Sequence, residues 1–421
     1  MNDIIVIGGG AGGLAATLKA HEEGRDVLLI EREDELGGIL GQCIHNGFGL
    51  EVFEEEYTGP EYADIYIERF LEAGIDYRLN TTVTEIKKDG NVFTVITSSQ
   101  ERGIVEHESK AIIMTTGSYE KTRGAIQIPG DRPRGVLTAG MAQRYINING
   151  LMPGKKAFVL GSGDIGLIMA RRMRLEGAEV LGVAEILPYS NGLNRNIVQC
   201  LHDYDIPLYL SHTVTDIIAD DDNNLKQIIM QKVDDDFKPV GGSEETLDVD
   251  VLLLAVGLIP EVTLIEDLGV EIDPLTKSVS INQAYETSVS GLFVAGNALQ
   301  VHDLVDKVTE ESERAGLAAS ASLDRSCEAK KEIHLKPGKH VGYVTPQRLD
   351  LNLKEETPVV ALRSKQEIEK ATLIIHQEGE EAAVFEKRLT FVLPAEMTMF
   401  EFPLDEVNKT GDLIVDLEVS S

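Results

Sequence analysis

The chain has 421 residues, long for one core, so two or three domains are expected. Its hydrophobic share of 43% and charged share of 26% are ordinary for a globular protein, but its formal net charge of −32 is not. That charge would repel nucleic acid and anionic membrane surfaces and argues against either as a partner. Three cysteines far apart in sequence, with no CxxC pair, give neither a disulfide framework nor a cysteine metal site. The N-terminus enters an apolar segment at once, without a basic leader, and the longest apolar run, around Val251–Ile259, is far short of a membrane span. A cytoplasmic location without membrane insertion is the expectation.

Taken in order, the first informative stretch is Ile4–Ala16. Ile4, Ile5, Val6 and Ile7 predict a buried strand. Gly8, Gly10 and Gly13 follow at GxGxxG spacing, with Ala11, Gly12 and other small residues opening a helix. Gly8 lets the chain turn sharply off the strand, Gly10 lets bare backbone approach a pyrophosphate, and Gly13 lets helix pack on strand. Phosphate charge then meets free N–H groups and the positive end of the helix dipole. Glycines also mark ordinary turns. Here, however, an acid lies about 20 residues on: Glu31 closes the apolar strand Val27–Ile30, where it can bond a ribose hydroxyl. The expectation is a dinucleotide at this turn, with Arg32 and the Gly37-Gly38 pair beside it.

After the unusual segment Gly41–Gly49 (GQCIHNGFG), Pro60–Ala73 predicts a helix, capped by Thr58 or Gly59 and stopped by Gly74. Thr82–Ser98 alternates and turns at Asp89-Gly90, a small antiparallel insert at about 80–110. An apolar strand, Ala111–Thr115, follows and ends in Thr116-Gly117. A second copy of the opening pattern begins at Ala157: Gly161, Gly163 and Gly166 stand between a strand and a helix opened by Asp164 and Ile165. Val180–Ala184 is its second strand, followed by Glu185. Two such units form an internal repeat, which implies two dinucleotides and electron transfer between them. Strands at Leu252–Ala255, ending in Val256-Gly257, and at Leu292–Ala295, ending in Gly296-Asn297, come next, then a helix over roughly Val305–Ala321. A charged stretch through Lys331 and His340, with Pro337-Gly338, is expected to be a linker. From Val341 the chain alternates in short segments spaced by turn residues, a β-sandwich pattern.

These motifs together resemble the two-dinucleotide-binding-domain flavoproteins of the pyridine nucleotide-disulfide oxidoreductase superfamily. The resemblance covers about residues 1 to 325 and implies an α/β fold with two Rossmann-like domains plus a C-terminal β-sandwich-like domain. It implies an FAD-binding domain over 1–118 and 258–330, an NAD(P)H-binding domain over 119–257 and a β domain over 335–421. The first turn with Glu31 is similar to the superfamily's FAD site and the second to its NAD(P)H site. Thr115-Thr116-Gly117 and Ala255-Val256-Gly257 match its strand-ending crossover motifs, and Thr287–Asn297 its second FAD motif. Two departures stand out. That motif normally ends Gly-Asp, whereas Asn297 here can act as donor or acceptor to a ribityl hydroxyl. Disulfide reductases carry two cysteines on the first long helix, but only Cys43 is present here. GGILGQCIHNGFG, VHDLVD and GYVTPQR look closer to flavoprotein subunits encoded beside glycerol-3-phosphate dehydrogenase-like or amino-acid dehydrogenase-like proteins. That implies a hetero-oligomeric partner.

The resemblance implies hydride exchange between FAD and NAD(P)H, the cofactors carrying the chemistry and the protein placing and tuning them. The helix after Asn297 is expected to aim its N-terminus at the flavin. His302 and Asp303 either bond flavin or substrate or serve as a surface histidine and a cap. Cys43 and His45 are the candidate catalytic pair, a redox thiol beside a histidine, or else packing against the flavin. Cys200 and Cys327 read as inert. An acid at Glu185 favours NADH over NADPH, although by count it falls one residue later than Glu31, with Ala184 at the matching position. Arg171, Arg172 and Arg174 read as a solvated face, Met169 and Met173 as core. The leading expectation is an FAD enzyme exchanging hydride with NADH and passing electrons to or from a partner dehydrogenase subunit or small acceptor. A single-cysteine disulfide, polysulfide or peroxide reductase and a non-catalytic assembly subunit with structural nucleotides are the alternatives.

Overall fold

The computed structural model of the chain describes residues 1–325, 330–353, 357–380, 382–404, 407 and 411–419, so Cys327 lies outside the described residues. The chain forms two compact units, Met1–Ser118 with Pro260–Ser421, and Tyr119–Ile259.

The first unit opens with β1 (Asn2–Ile7), α1 (Ala11–Glu22) and β2 (Val27–Ile30), then α2 (Gly59–Ala73), β3 (Asp76–Arg78), β4 (Thr81–Asp89), β5 (Val92–Ser99) and β6 (Gly103–Met114). Glu61 accepts the Thr58 N–H at 2.8 Å to start α2, and Gly74, left-handed, ends it. The strands lie in the order β3-β2-β1-β6-β5-β4. Ile4–Ile7 of β1 and all of β2 are apolar and buried, as a parallel sheet covered on both faces requires. The antiparallel ribbon is no separate sheet: β6 pairs with β5 through Ser109 and then, from Ser109 to Met114, runs parallel to β1.

The second unit contains β7 (Val136–Thr138), α3 (Ala139–Asn147), β8 (Lys156–Leu160), α4 (Asp164–Leu175), β9 (Glu179–Glu185), β10 (Leu208–Leu210) and β11 (Val251–Leu254). Its parallel sheet runs β7-β11-β8-β9-β10. Met169 and Met173 of α4 are buried in its core. A three-stranded antiparallel sheet, which no sequence signal set apart, shares a second core with it through Phe158, Leu160, Val214, Ile217 and Ile228. The arginines of α4 divide. Arg174 is exposed, but Arg171 lies over the Tyr204 ring and Arg172 bonds Asn147 and Glu176, so only part of that face is solvated.

Back in the first unit, β12 (Leu292–Val294) joins β6, and α5 (Val305–Ser322) packs along α1. The expected linker is instead a strand, β13 (Glu332–Pro337), because Ile333 and Leu335 alternate inward and its backbone pairs on both sides. It is followed by β14 (Val341–Thr345), β15 (Arg348–Asp350), β16 (Val359–Ser364), β17 (Ala371–Gln377), β18 (Ala383–Leu389), β19 (Thr398–Glu401) and β20 (Leu413–Val419). Two sheets, β15-β13-β20-β17-β18 and β14-β16-β19, enclose an apolar core of their own. Among the described residues no helix is long and apolar enough to cross a membrane.

Candidate functional site

The two glycine turns are built alike. After β1, Gly8 takes a φ of +105°, and a Cβ there would stand 2.6 Å from the Thr115 carbonyl oxygen. After β8, Gly161 takes a φ of +101°, and a Cβ would stand 2.1 Å from that of Ala255. L side chains are strained in that backbone region and would clash as well. Gly13 lets α1 lie against the turn, since a Cβ would fall 1.7 Å from the Gly8 carbonyl. Gly10 and Gly163, by contrast, would add a Cβ with no atom within 4 Å, so their backbones border open space as a bound pyrophosphate requires. The first turn of α1 carries no acid. In α4, Asp164 stands in the first turn, but its carboxylate is turned onto the Leu193 N–H and the Asn196 amide, with Ile165 half-buried behind it.

The acids match as well. Glu31, 7% exposed, accepts the Gly9 N–H at 2.5 Å and the Glu33 N–H at 2.8 Å. Glu185 accepts the Ser162 N–H at 3.0 Å, the Ser162 hydroxyl at 2.7 Å and the Leu187 N–H at 3.1 Å. A carboxylate has about four acceptor directions, so each acid keeps capacity for a ribose hydroxyl. Glu185 occupies the place of Glu31 although by count it falls one residue late. β9 pairs Val180 with Ala157 but Gly182 with Phe158, so Leu181 is an extra residue in a bulge. The Gly161 N–H bonds the Ala184 carbonyl as the Gly8 N–H bonds that of Ile30, which leaves Glu185 in the place of Glu31. Beside the end of β2, Arg32, Tyr77, Arg78, Asn80, Thr81 and Arg102 line a groove of about 620 Å³.

Gly38 begins a 3-10 turn, Gly38–Gln42, joined to the first glycine turn by a bridge between Gly10 and Gly37. Cys43 therefore follows a short turn and not a long helix. Its thiol donates to the Ile39 carbonyl at 3.3 Å and its carbonyl accepts the Gly59 N–H at 2.9 Å. His45 places Nδ1 3.1 Å from the Asn46 carbonyl and its ring against Phe48. Cys200 is buried in the second unit, and burial pushes its thiol up, which suits an inert residue.

Strand-ending Thr116 bonds the Glu261 carbonyl, Gly117 accepts the Glu261 N–H, and Gly257, after Val256, accepts the Lys121 N–H. The region around Gly296 and Asn297 holds a buried polar network that the sequence did not reveal. Glu311 of α5 accepts the Gly296 N–H at 2.7 Å and the Gln300 amide at 2.8 Å, with His302 Nε2 at 3.1 Å. His302 is neither a surface histidine nor loose: its side chain is 1% exposed, and Nδ1 has no hydrogen-bond partner. Asp303 caps nothing, because it pairs with Arg363 of β16 and accepts the Met397 N–H. Asn297 Oδ1 accepts the His302 N–H at 3.0 Å, so the amide NH₂ is the half of that side chain left to donate. The one sequence signal for Glu311 was an acid on the helical stripe it shares with Ala315, Ala318 and Ala319. No group of three His, Cys, Asp or Glu among the described residues is placed to hold a metal ion.

Comparison with known proteins agrees with this geometry. The pyridine nucleotide-disulphide oxidoreductase family matches residues 2–321. The chain belongs to that family, whose members are oxidoreductases using FAD and NAD(P)H. It is 26% identical over 341 residues to an opine oxidase subunit of Agrobacterium tumefaciens, covering 76% of this chain and 66% of that protein. To the glutamate synthase [NADPH] small chain of Mycobacterium tuberculosis it is 26% identical over 351 residues, again covering 76% and 66%. The chain thus spans just under two thirds of the length of these relatives. The thioredoxin reductase of T. acidophilum shares the fold with a TM-score of 0.64 at 21% identity, covering 77% of this chain and 99% of that one.

Proposed function

We propose that the Gly8 turn binds FAD, that the Gly161 turn binds NADH, and that the chain passes electrons between this pair and a partner dehydrogenase subunit or a small acceptor in the cytoplasm. The observation that carries the reading is the matched pair of turns, each closed by a buried acid bonded to the residue after its first glycine. FAD, when bound, supplies the chemistry by accepting and releasing hydride. The chain's own residues do the rest. The N–H groups at the start of α1, with Ala11, Gly12 and Gly13, hold the pyrophosphate, and Glu31 accepts a ribose hydroxyl beside Arg32. The Asn297 amide donates to the ribityl chain, and the N-terminus of α5 steadies negative charge near the ring. Glu185, now in register with Glu31, accepts the coenzyme's ribose diol and repels a 2′-phosphate, which selects NADH. The names of the two relatives, one an oxidase subunit and the other a small chain, support a partner protein. The C-terminal strands, read as a β-sandwich-like domain over 335–421, are the surface best suited to that role.

Anaerobic titration tests the reading. Yellow protein should bleach with about one equivalent of NADH per flavin and require more NADPH. Protein that cannot be loaded with FAD, or that stays yellow with excess of both coenzymes, overturns it.

A further inference from the structure

The VHDLVD run contributes one acid that the cofactor reading leaves unused. Asp306, in the first turn of α5, is 1% exposed. Its carboxylate does not face outward from the helix end. Instead it accepts three backbone N–H groups from another part of the chain: Gly49 at 3.1 Å, Glu51 at 3.2 Å and Val52 at 3.0 Å. Charge-assisted bonds of this kind are about twice as strong as neutral ones, and three on one buried carboxylate fix a turn firmly. Neighbouring contacts support it. Lys307 pairs with Glu51 at 2.5 Å, and the Tyr62 and Thr309 hydroxyls bond at 2.8 Å.

The segment so anchored is the one that carries Cys43 and His45. Its near end is held by the Gly59 N–H on the Cys43 carbonyl, and its far end is held by Asp306. Between them, Ile44 is exposed and the His45 and Phe48 rings lie together. We propose that Asp306 is a positioning residue: it ties the Cys43–Phe48 segment to the N-terminus of α5, so that helix end and segment form one rigid wall of the substrate side of the flavin site. The inference rests on the flavin reading for what the wall faces, but the tie itself does not.

The test compares alkylation of individual cysteines by iodoacetamide, mapped by peptide mass, in the full chain and its variants. Cys200, buried in the other unit, reports opening of that unit, and an unchanged urea midpoint shows that the first unit stays folded. With Asp306→Ala, labelling of Cys43 should rise about tenfold while Cys200 stays protected. Asp306→Asn, with one acceptor oxygen left, should fall between. Asp306→Asn should also raise the KM for a quinone acceptor. If Asp306→Ala does not fold, Asp306→Asn alone should still raise Cys43 labelling by about twofold. Cys43 labelling that is unchanged, or that rises only in step with Cys200, overturns the proposal. A chain that takes up no FAD would sink the functional reading and still leave the labelling contrast to judge Asp306.

Discussion

At the scale of single residues, the glycine turns are the most exacting positions. Gly8→Ala puts a side chain into left-handed backbone and against the Thr115 carbonyl, a strain of about 2 kcal/mol. The variant should purify with little flavin, read as the ratio of flavin to protein absorbance, and unfold at lower denaturant. Cys43→Ala separates two chemistries. If hydride passes between cofactors without a thiol, NADH oxidation with a quinone should stay within about twofold, whereas a drop of about a hundredfold would make Cys43 the working group. Gly8, Gly13 and Glu31 were legible because their constraint is local: a strand, a turn and a helix within a short span leave few residues that fit. Glu311, Asp306 and Arg363 were not, because a polar residue's partner is visible in sequence only when it is near. The Asp306 carboxylate bonds a residue 257 positions away, and Arg363 pairs across 60.

Elements show the same division. α2 follows the sequence expectation to within one residue at its start because its cap, first-turn proline and terminal glycine are all in the chain itself. β9 defeated the count because a bulge adds a residue without changing composition, and only pairing with β8 reveals it. The charges of β13 and the Pro337-Gly338 pair at its end suggest a linker. What makes it a strand is backbone bonding to β15 and β20. Arg363 of β16 meets Asp303, the Val301 carbonyl and the carbonyls of Pro394 and Ala395. Burial alone would lower its pKa, but Asp303 and Tyr343 outweigh that and hold it up. Arg363→Met would leave Asp303 unpaired and should cost about 3 kcal/mol, seen as a lower urea midpoint at unchanged slope. His376 on β17 places both ring nitrogens near oxygens: Nε2 3.0 Å from Asp416 of β20, Nδ1 2.9 Å from the Glu380 carbonyl. Only the imidazolium can donate to both. Burial opposes its charge, but Asp416 and the carbonyls of Gln377 and Glu380 prevail and raise its pKa above the ordinary value. This contribution to stability is therefore full below the unfolded pKa of about 6.5 and is lost as pH rises through the higher folded value. His376→Gln should flatten that part of the stability–pH curve.

For the whole molecule, the net charge of −32 is the dominant fact. Self-repulsion should be relieved by salt, so the melting temperature should rise by several degrees between low ionic strength and about 0.5 M sodium chloride. A flat response would mean that the acids are already neutralised by neighbours. Composition, the repeated glycine turns and the alternating C-terminal segments point on their own to the class of fold, to the two glycine turns and to the acids that follow them, since each depends on residues near in sequence. Tertiary structure alone decided that Glu185 matches Glu31, that the suspected linker is a strand, and that His302, Asp303 and Asp306 are each committed to a different part of the first unit. The physical reason is that a hydrogen bond or ion pair is set by distance in space, and the folded chain brings together groups that no spacing rule can connect.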